Sequence, residues 1–174
     1  MTNLTNRAHI PTARMVLSPL AAADAAVPVA ALSDYEVARR LTVVPFAYTL
    51  ADFEEFLPRT RPGEHWAICD GAGLAGVIGL DDHFGYWLAM RVGGQGCMTE
   101  SGCAVLAAYF ADPAAGPVVS GYFVSNARSA ALLGKLGFVE TGRGRKANRA
   151  QGCDLAHVEL RLTCDGFLTA QIAP

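Results

Sequence analysis

The stretch best suited to holding a ligand is Arg91-Val92-Gly93-Gly94-Gln95-Gly96. Glycine lacks a Cβ, so the backbone there can come close to a bound group. The stretch follows a predicted strand, His83–Ala89, and opens a predicted helix, Met98–Phe110. Unpaired N–H groups at a helix start, reinforced by the helix dipole, favour a phosphate. A plain flexible connection between strand and helix would have the same composition. Two other phosphate loops fit less well. No Gly-Lys-Ser/Thr occurs, and the last glycine of a dinucleotide fingerprint is missing after Gly94-Gln95-Gly96.

Few side chains offer proton chemistry. His83 is the best general base by type, because imidazole titrates near neutral pH. Strand alternation puts His83, Gly85 and Trp87 on one face and Phe84, Tyr86 and Leu88 on the other. Asp81 and Asp82 are the substitutes, set in what also reads as a solvated turn. His65 and His157 fall in other strands and read as ordinary packed or surface imidazoles. Cys97 stands at a helix N-terminus, where a thiolate is stabilised. Glu100 in the same first turn complements the dipole. Asn126 follows a strand and precedes an apolar helix, the position of an N-cap. Ser129 lies three residues on and shares its face.

The elements that position these groups follow from pattern. Arg14–Leu20 reads as a strand ended near Pro19. Asp24–Ser33, with Pro28 in its first turns, and Asp34–Leu41 read as short helices. Thr49 caps a third helix, with Leu50, Phe53, Phe56 and Leu57 on one face and Pro58 and Pro62 as stops. His65–Asp70 and Leu74–Leu80 read as strands around the turn Asp70-Gly71-Ala72-Gly73. Later come a strand at Val118–Val124 and a helix at Asn126–Leu136 closed by Gly137. Strands Phe138–Thr141 and Leu155–Leu162 then flank a basic stretch. The order implies an α/β (α+β) domain with a mixed, mostly antiparallel sheet of about six to seven strands and helices on both faces. Residues 1–11 read as a flexible leader, 12–164 as one domain and 165–174 as a C-terminal tail.

Composition narrows the class. The chain has 174 residues, 52% hydrophobic and 17% charged, enough apolar content for one domain with its own core. A net charge of −2 gives no general pull toward nucleic acid or anionic lipid. No apolar run reaches the roughly 20 residues of a membrane span, and the N-terminus lacks the layout of an export signal. The five cysteines are odd in number and contain no CxxC pair, which argues against zinc and a disulfide framework and for a reducing, cytoplasmic setting. Arg143, Arg145, Lys146 and Arg149 read as a solvated hairpin tip, with an acidic substrate or a nucleotide phosphate as the alternative.

A strand, then Arg-x-x-Gly-x-Gly, then a helix resembles the acyl-CoA pyrophosphate motif of the GNAT N-acetyltransferase superfamily. Asn126-Ala127-Arg128-Ser129 through Lys135-Leu136-Gly137-Phe138 resembles its Asn-x-x-Ser…Lys-x-Gly-Phe segment. Thr12–Leu17 with Pro19-Leu20, and Gly85-Tyr86-Trp87-Leu88, resemble the ribosomal-protein alanine N-acetyltransferase branch. Gly93, Cys97 and Ser18 depart from it: that branch commonly has aromatics at the first two positions and arginine at the third. The resemblance implies transfer of acetyl from acetyl-CoA directly to a primary amine, either a protein N-terminus or a small molecule, with no metal. It implies pyrophosphate binding by Arg91, Val92, Gly93, Gly94, Gln95, Gly96 and Cys97. It implies pantetheine pairing along Leu88, Ala89 and Met90 and contacts from Asn126 and Ser129. Ser129 would serve the leaving thiolate, with His83 or Asp82 as base. Phe46, Tyr48 and Trp87 would edge the acceptor cleft. A homodimer fits the apolar, β-rich ends. The rival is a non-catalytic acyl-CoA-binding regulatory module on the same fold.

Overall fold

The computed structural model describes residues 9–172. Among the described residues, eight strands fall in two sheets. The first has the order β1–β2–β3–β4–β5, from β1 (Ile10–Pro11), β2 (Val16–Ser18), β3 (His65–Asp70), β4 (Gly73–Leu80) and β5 (Phe84–Leu88). The second has the order β6–β8–β7, from β6 (Val118–Phe123), β7 (Val139–Asn148) and β8 (Cys153–Leu162). Every paired ladder is antiparallel. The helices are α1 (Ala26–Leu32), α2 (Tyr35–Ala38), α3 (Leu50–Phe56), α4 (Cys97–Phe110), α5 (Ala127–Lys135) and α6 (Cys164–Ile172).

Local chemistry accounts for the helix starts. Thr49 forms a capping box with Asp52, and Asp34 caps α2 by accepting from the Glu36 N–H. Asn126 caps α5 by accepting from the Ser129 N–H at 3.2 Å. Pro28 falls within α1 at its third position, where no intrahelical N–H is lost.

Alternation buries both faces of the first sheet. Trp66, Ile68 and Ile78 join one cluster with Val105, Leu106, Leu133 and Leu136 of α4 and the α5 region. Ala67 and Val77 join a second cluster with Leu32, Val37 and Phe53 of α1–α3. This explains why β3 and β4 read as nearly continuous apolar runs. Among the described residues no helix is long and apolar enough to cross a membrane.

Three elements differ from the sequence reading. Ile10–Pro11, the end of the expected leader, pairs with β2; residues 1–8 of that leader lie outside the described residues. The segment read as a tail contains helix α6, which buries Phe167. The basic stretch is not a loop between two short strands but part of β7, which pairs with β8 from Val139↔Arg161 to Asn148↔Cys153. Most of β7 is solvated, so it carries no apolar alternation by which to recognise it.

Gly137 ends the α5 region with φ +92°, and a Cβ there would meet the Gly166 carbonyl oxygen of α6 at 2.6 Å. Gly137→Ala should therefore cost about 2 kcal/mol and lower Tm by roughly 4–8 °C. A thermal melt checks this, and an unchanged Tm would refute it.

Candidate active site

The two sheets part company at β5. The Ser120 hydroxyl of β6 donates to the Phe84 carbonyl at 2.8 Å. Beyond that point no ladder joins β5 to β6. The Ala89 N–H turns inward to the Ala75 carbonyl at 2.8 Å. Main-chain groups alternate in direction along a strand, so those of Tyr86 and Leu88 face the open edge. The expected pantetheine-pairing segment thus begins on an unpaired strand edge.

The glycine loop follows directly. Gly94 and Gly96 adopt φ +76° and +78°, which glycine takes without strain. Gly93, by contrast, has an ordinary extended conformation that any residue could adopt. Among the described residues, the N–H groups of Gly94 through Met98 find no acceptor. They form a cluster of free donors at the start of the 14-residue helix α4.

Two braces hold this loop from behind. Arg91 turns away from it and pairs with Asp70 at 2.5 Å, also donating to the Leu74 carbonyl at 2.9 Å. Arg14 donates to the Gln95 carbonyl at 2.9 Å and pairs with Glu100 at 2.7 Å. The Gln95 side chain folds back onto the Arg91 carbonyl at 2.9 Å. The Arg91 and Gln95 side chains are therefore structural, and what the loop presents is backbone.

A hollow of about 530 Å³ opens along this edge. Leu88, Ala89, Met90, Val92, Gly93, Gly94, Gly96 and Cys97 line one side, and Asn126, Arg128, Ser129, Leu132 and Lys135 another. Val37, Arg40, Leu41, Tyr86 and Trp87 also line it. Among the described residues its lining contains cations and no carboxylate, which suits a polyanionic ligand with an apolar arm. The free donors and Arg128 and Lys135, neither in a side-chain ion pair among the described residues, fit the phosphates of CoA.

Within the hollow, the Tyr86 hydroxyl lies 2.5 Å from Ser129 Oγ. Burial pushes the Tyr86 phenol up to about 12, with the Ser129 bond opposing the shift. Tyr86 thus stays protonated across the neutral range. The pair holds two O–H groups, and their mutual bond uses one, so one remains to serve a ligand. The sequence reading placed Tyr86 on a face but gave it no partner. Ser129 is 43 residues away, and no local pattern links them.

The other expected site residues are dispersed. Trp87 is in the hollow, but Phe46 and Tyr48 do not line it. Phe46 is half exposed and packs edge-on against Tyr35. Tyr48 is buried in the α1–α3 cluster, where burial pushes its phenol up to about 12. His83 is exposed just before β5, at the end away from the glycine loop, and its N–H donates to Asp81 at 3.2 Å. Asp82 lines a separate depression of about 420 Å³ with Arg59, Arg61, His65, Asp81 and Tyr109. Three of the four basic residues of β7 and its turn are occupied: Arg143 by Glu140 at 2.7 Å, Arg145 by the Asp154 carbonyl, and Arg149 by the Val43 carbonyl at 3.2 Å.

An open strand edge, a left-handed glycine turn and free helix-start amides in this order suit an extended ligand that ends in phosphates, as an acyl-CoA does. Residues 14–139 match the acetyltransferase (GNAT) domain model, and the chain belongs to the GNAT family of acetyltransferases. Solved structures share the fold. RimJ from Mycobacterium smegmatis, in complex with CoA-disulfide, has TM-score 0.78 and 17% identity over 90% of this chain and 88% of that one. RimL, a ribosomal L7/L12 alpha-N-protein acetyltransferase in complex with coenzyme A, has TM-score 0.76 and 18% identity over 91% and 99%. The ribosomal-protein-S5-alanine acetyltransferase from Vibrio fischeri has TM-score 0.75 and 16% identity over 91% and 98%. Among curated proteins, none matches the chain in sequence.

Glu100 allows a test of the loop's bracing. Its carboxylate accepts from Thr12 Oγ1 at 2.5 Å and from the Arg14 N–H and Nε at 2.7 Å. The Thr12 bond, then those of Arg14, hold it below the ordinary carboxylate range. A depressed folded-state pKa stabilises the fold fully above the unfolded value, about 4.3, and this is lost as pH falls through the folded value. Glu100→Gln should melt below the parent at pH 7, with the gap closing below about pH 4. A gap of equal size at both pH values would refute the assignment.

Proposed function

We propose that this acetyltransferase moves the acetyl group of acetyl-CoA directly to a primary amine. The observation that carries the reading is the run of free N–H groups at Gly94–Met98, continuous with the open edge of β5 and the Tyr86–Ser129 pair. Bound acetyl-CoA supplies an acetyl group activated as a thioester. The loop amides, with Arg128 and Lys135, hold its phosphates. The outward main-chain groups of Tyr86 and Leu88 pair with the pantetheine arm, as an added strand would.

Ser129 serves the departing sulfur as hydrogen-bond and proton donor, and Tyr86 orients it. The acceptor's proton needs a different group, because no carboxylate or imidazole lines the hollow. We assign it to His83 acting through water, since His83 is exposed outside the hollow and alternation places it on the Trp87 face, opposite Tyr86. Asp82, set in its own depression, takes no part. Cys97 is buried at the first position of α4 and contributes its N–H rather than its thiol.

The acceptor is a primary amine on a protein N-terminus or a small molecule. The substrates named for the RimL and Vibrio fischeri neighbours support a protein N-terminus. The odd number of cysteines and the lack of a CxxC pair support a reducing cytoplasm.

Acetyl-CoA at about 100 times its Kd should stabilise the protein by about 2.7 kcal/mol and raise Tm by roughly 5–10 °C, and ATP should not. Turnover is then measured on a panel of N-terminal peptides and small amines. Ser129→Ala and His83→Ala should each lower kcat by roughly 10²-fold, with acetyl-CoA Kd within about threefold of the parent. Parental kcat in Ser129→Ala would remove it from the chemistry.

A further inference from the structure

The wall of the hollow formed by Val37, Arg40 and Leu41 has little structure of its own. Helix α2 has four residues, too short to persist alone. The chain from 41 to 49 that follows has no regular structure. Its backbone is tied instead to the turn between β7 and β8. Asn148 Nδ2 donates to the Arg39 carbonyl at 2.9 Å and the Leu41 carbonyl at 3.2 Å, bracketing Arg40. Asn148 Oδ1 accepts from the Gln151 N–H at 2.8 Å. Gln151 Nε2 adds a bond to the Arg39 carbonyl at 3.2 Å, and the Arg149 N–H one to the Thr42 carbonyl at 3.2 Å.

Asn148 is 1% exposed, at the end of a strand whose other residues are exposed or half-buried. Burying a primary amide is unfavourable unless its polar atoms are matched. Here both N–H donors go to the wall and the oxygen goes to the turn. The amide therefore acts as a clasp between two segments 109 residues apart.

The glycine loop and α5 are the walls that the proposed CoA site uses, which leaves the α2 wall to the acceptor. We infer that Asn148 is a positioning residue that fixes the α2 wall and, through Arg40 and Leu41, sets the fit of the acceptor. This rests on the acetyltransferase reading above.

The test compares Asn148→Ala, Asn148→Asp and the milder Gln151→Ala in the full chain. Aspartate keeps the size of Asn148 but offers no N–H to the two carbonyls, so it should act like alanine. Hydrogen exchange is read by mass spectrometry over residues 39–45, acetyl-CoA Kd by calorimetry, and KM and kcat with the amine identified by the panel above. In both Asn148 variants, exchange over 39–45 should rise about tenfold while β3 and β4 stay protected. Acceptor KM should rise about tenfold, with kcat within about threefold and acetyl-CoA Kd within about twofold. Gln151→Ala should move exchange and KM in the same direction by less, and it carries the test if the Asn148 variants do not fold.

Unchanged exchange over 39–45 would overturn the clasp. Looser exchange with an unchanged acceptor KM would make it merely structural and overturn its role in acceptor fit. An acetyl-CoA Kd that weakens as much as the acceptor KM would give the wall to the cofactor instead. Failure of the underlying reading looks different: the unsubstituted protein would then bind no acetyl-CoA or turn over no amine, and the inference would fall with it.

Discussion

The site depends on β5 being paired on one edge only. On its inner edge the strand is pressed hard against β4. A Cβ on Gly76 would meet the Trp87 carbonyl oxygen at 2.3 Å and the Leu88 Cα at 3.1 Å, so close approach here requires glycine. On its outer edge a side-chain bond from Ser120 takes the place of the first ladder bond, and the sheets then separate. An exposed strand edge is normally a hazard, because it offers unmet donors and acceptors to any other strand. Here it is five residues long and bounded by the glycine loop and α5. What is left open is the length of a short extended arm.

The loop beyond that edge shows how backbone can bind without being mobile. Several glycines would make a flexible linker if nothing held them. Arg91 ties the front of the loop to the β3–β4 turn through Asp70, and Arg14 ties its rear to Gln95 and Glu100. Both ion pairs sit at the surface, where such pairs add little to global stability. Their consequence is local: they fix the direction in which the amides point. Donors held in place before a ligand arrives lose less entropy when it binds. The arginine of the Arg-x-x-Gly-x-Gly pattern thus acts through the loop's shape, not through its own charge in the hollow.

Local signals were legible in the sequence and long-range ones were not. The caps Thr49 and Asn126, the glycine turn and the strands β3 to β5 each rest on neighbours within a few residues, and those readings stand within a residue or two. Strand β7 extends well past the short strand its sequence suggests because nine of its ten residues are exposed or half-buried, so no apolar period marks it. Phe46 and Tyr48 looked suited to a cleft by type, yet neither lines the hollow. Arg40 and Asn148 carry no motif, and the block that contains Tyr86 says nothing of its Ser129 partner. Their significance comes from partners or neighbours brought together by topology, and a single sequence does not encode those pairings in its spacing.

Consecutive residues of β5 then divide the chemistry between two faces. Tyr86 packs toward the α4–α5 cluster and Trp87 toward the α1–α3 cluster, as strand alternation requires. A thioester laid along the open edge would have Ser129, steadied by Tyr86, on one side and the Trp87 face on the other. Attack and departure at a carbonyl need different groups on different sides, and one strand supplies both by its two-residue period. The α1–α3 side is also where the chain has least regular structure. Helix α2 is four residues long, and the connection after it depends on the β7–β8 turn for its hydrogen bonds. The glycine-loop side of the hollow rests on the 14-residue α4 and two ion-pair braces, and the α2 side on a four-residue helix held by hydrogen bonds to the β7–β8 turn. Because the two sides share none of these ties, the α2 wall could change sequence and shape without disturbing the glycine loop.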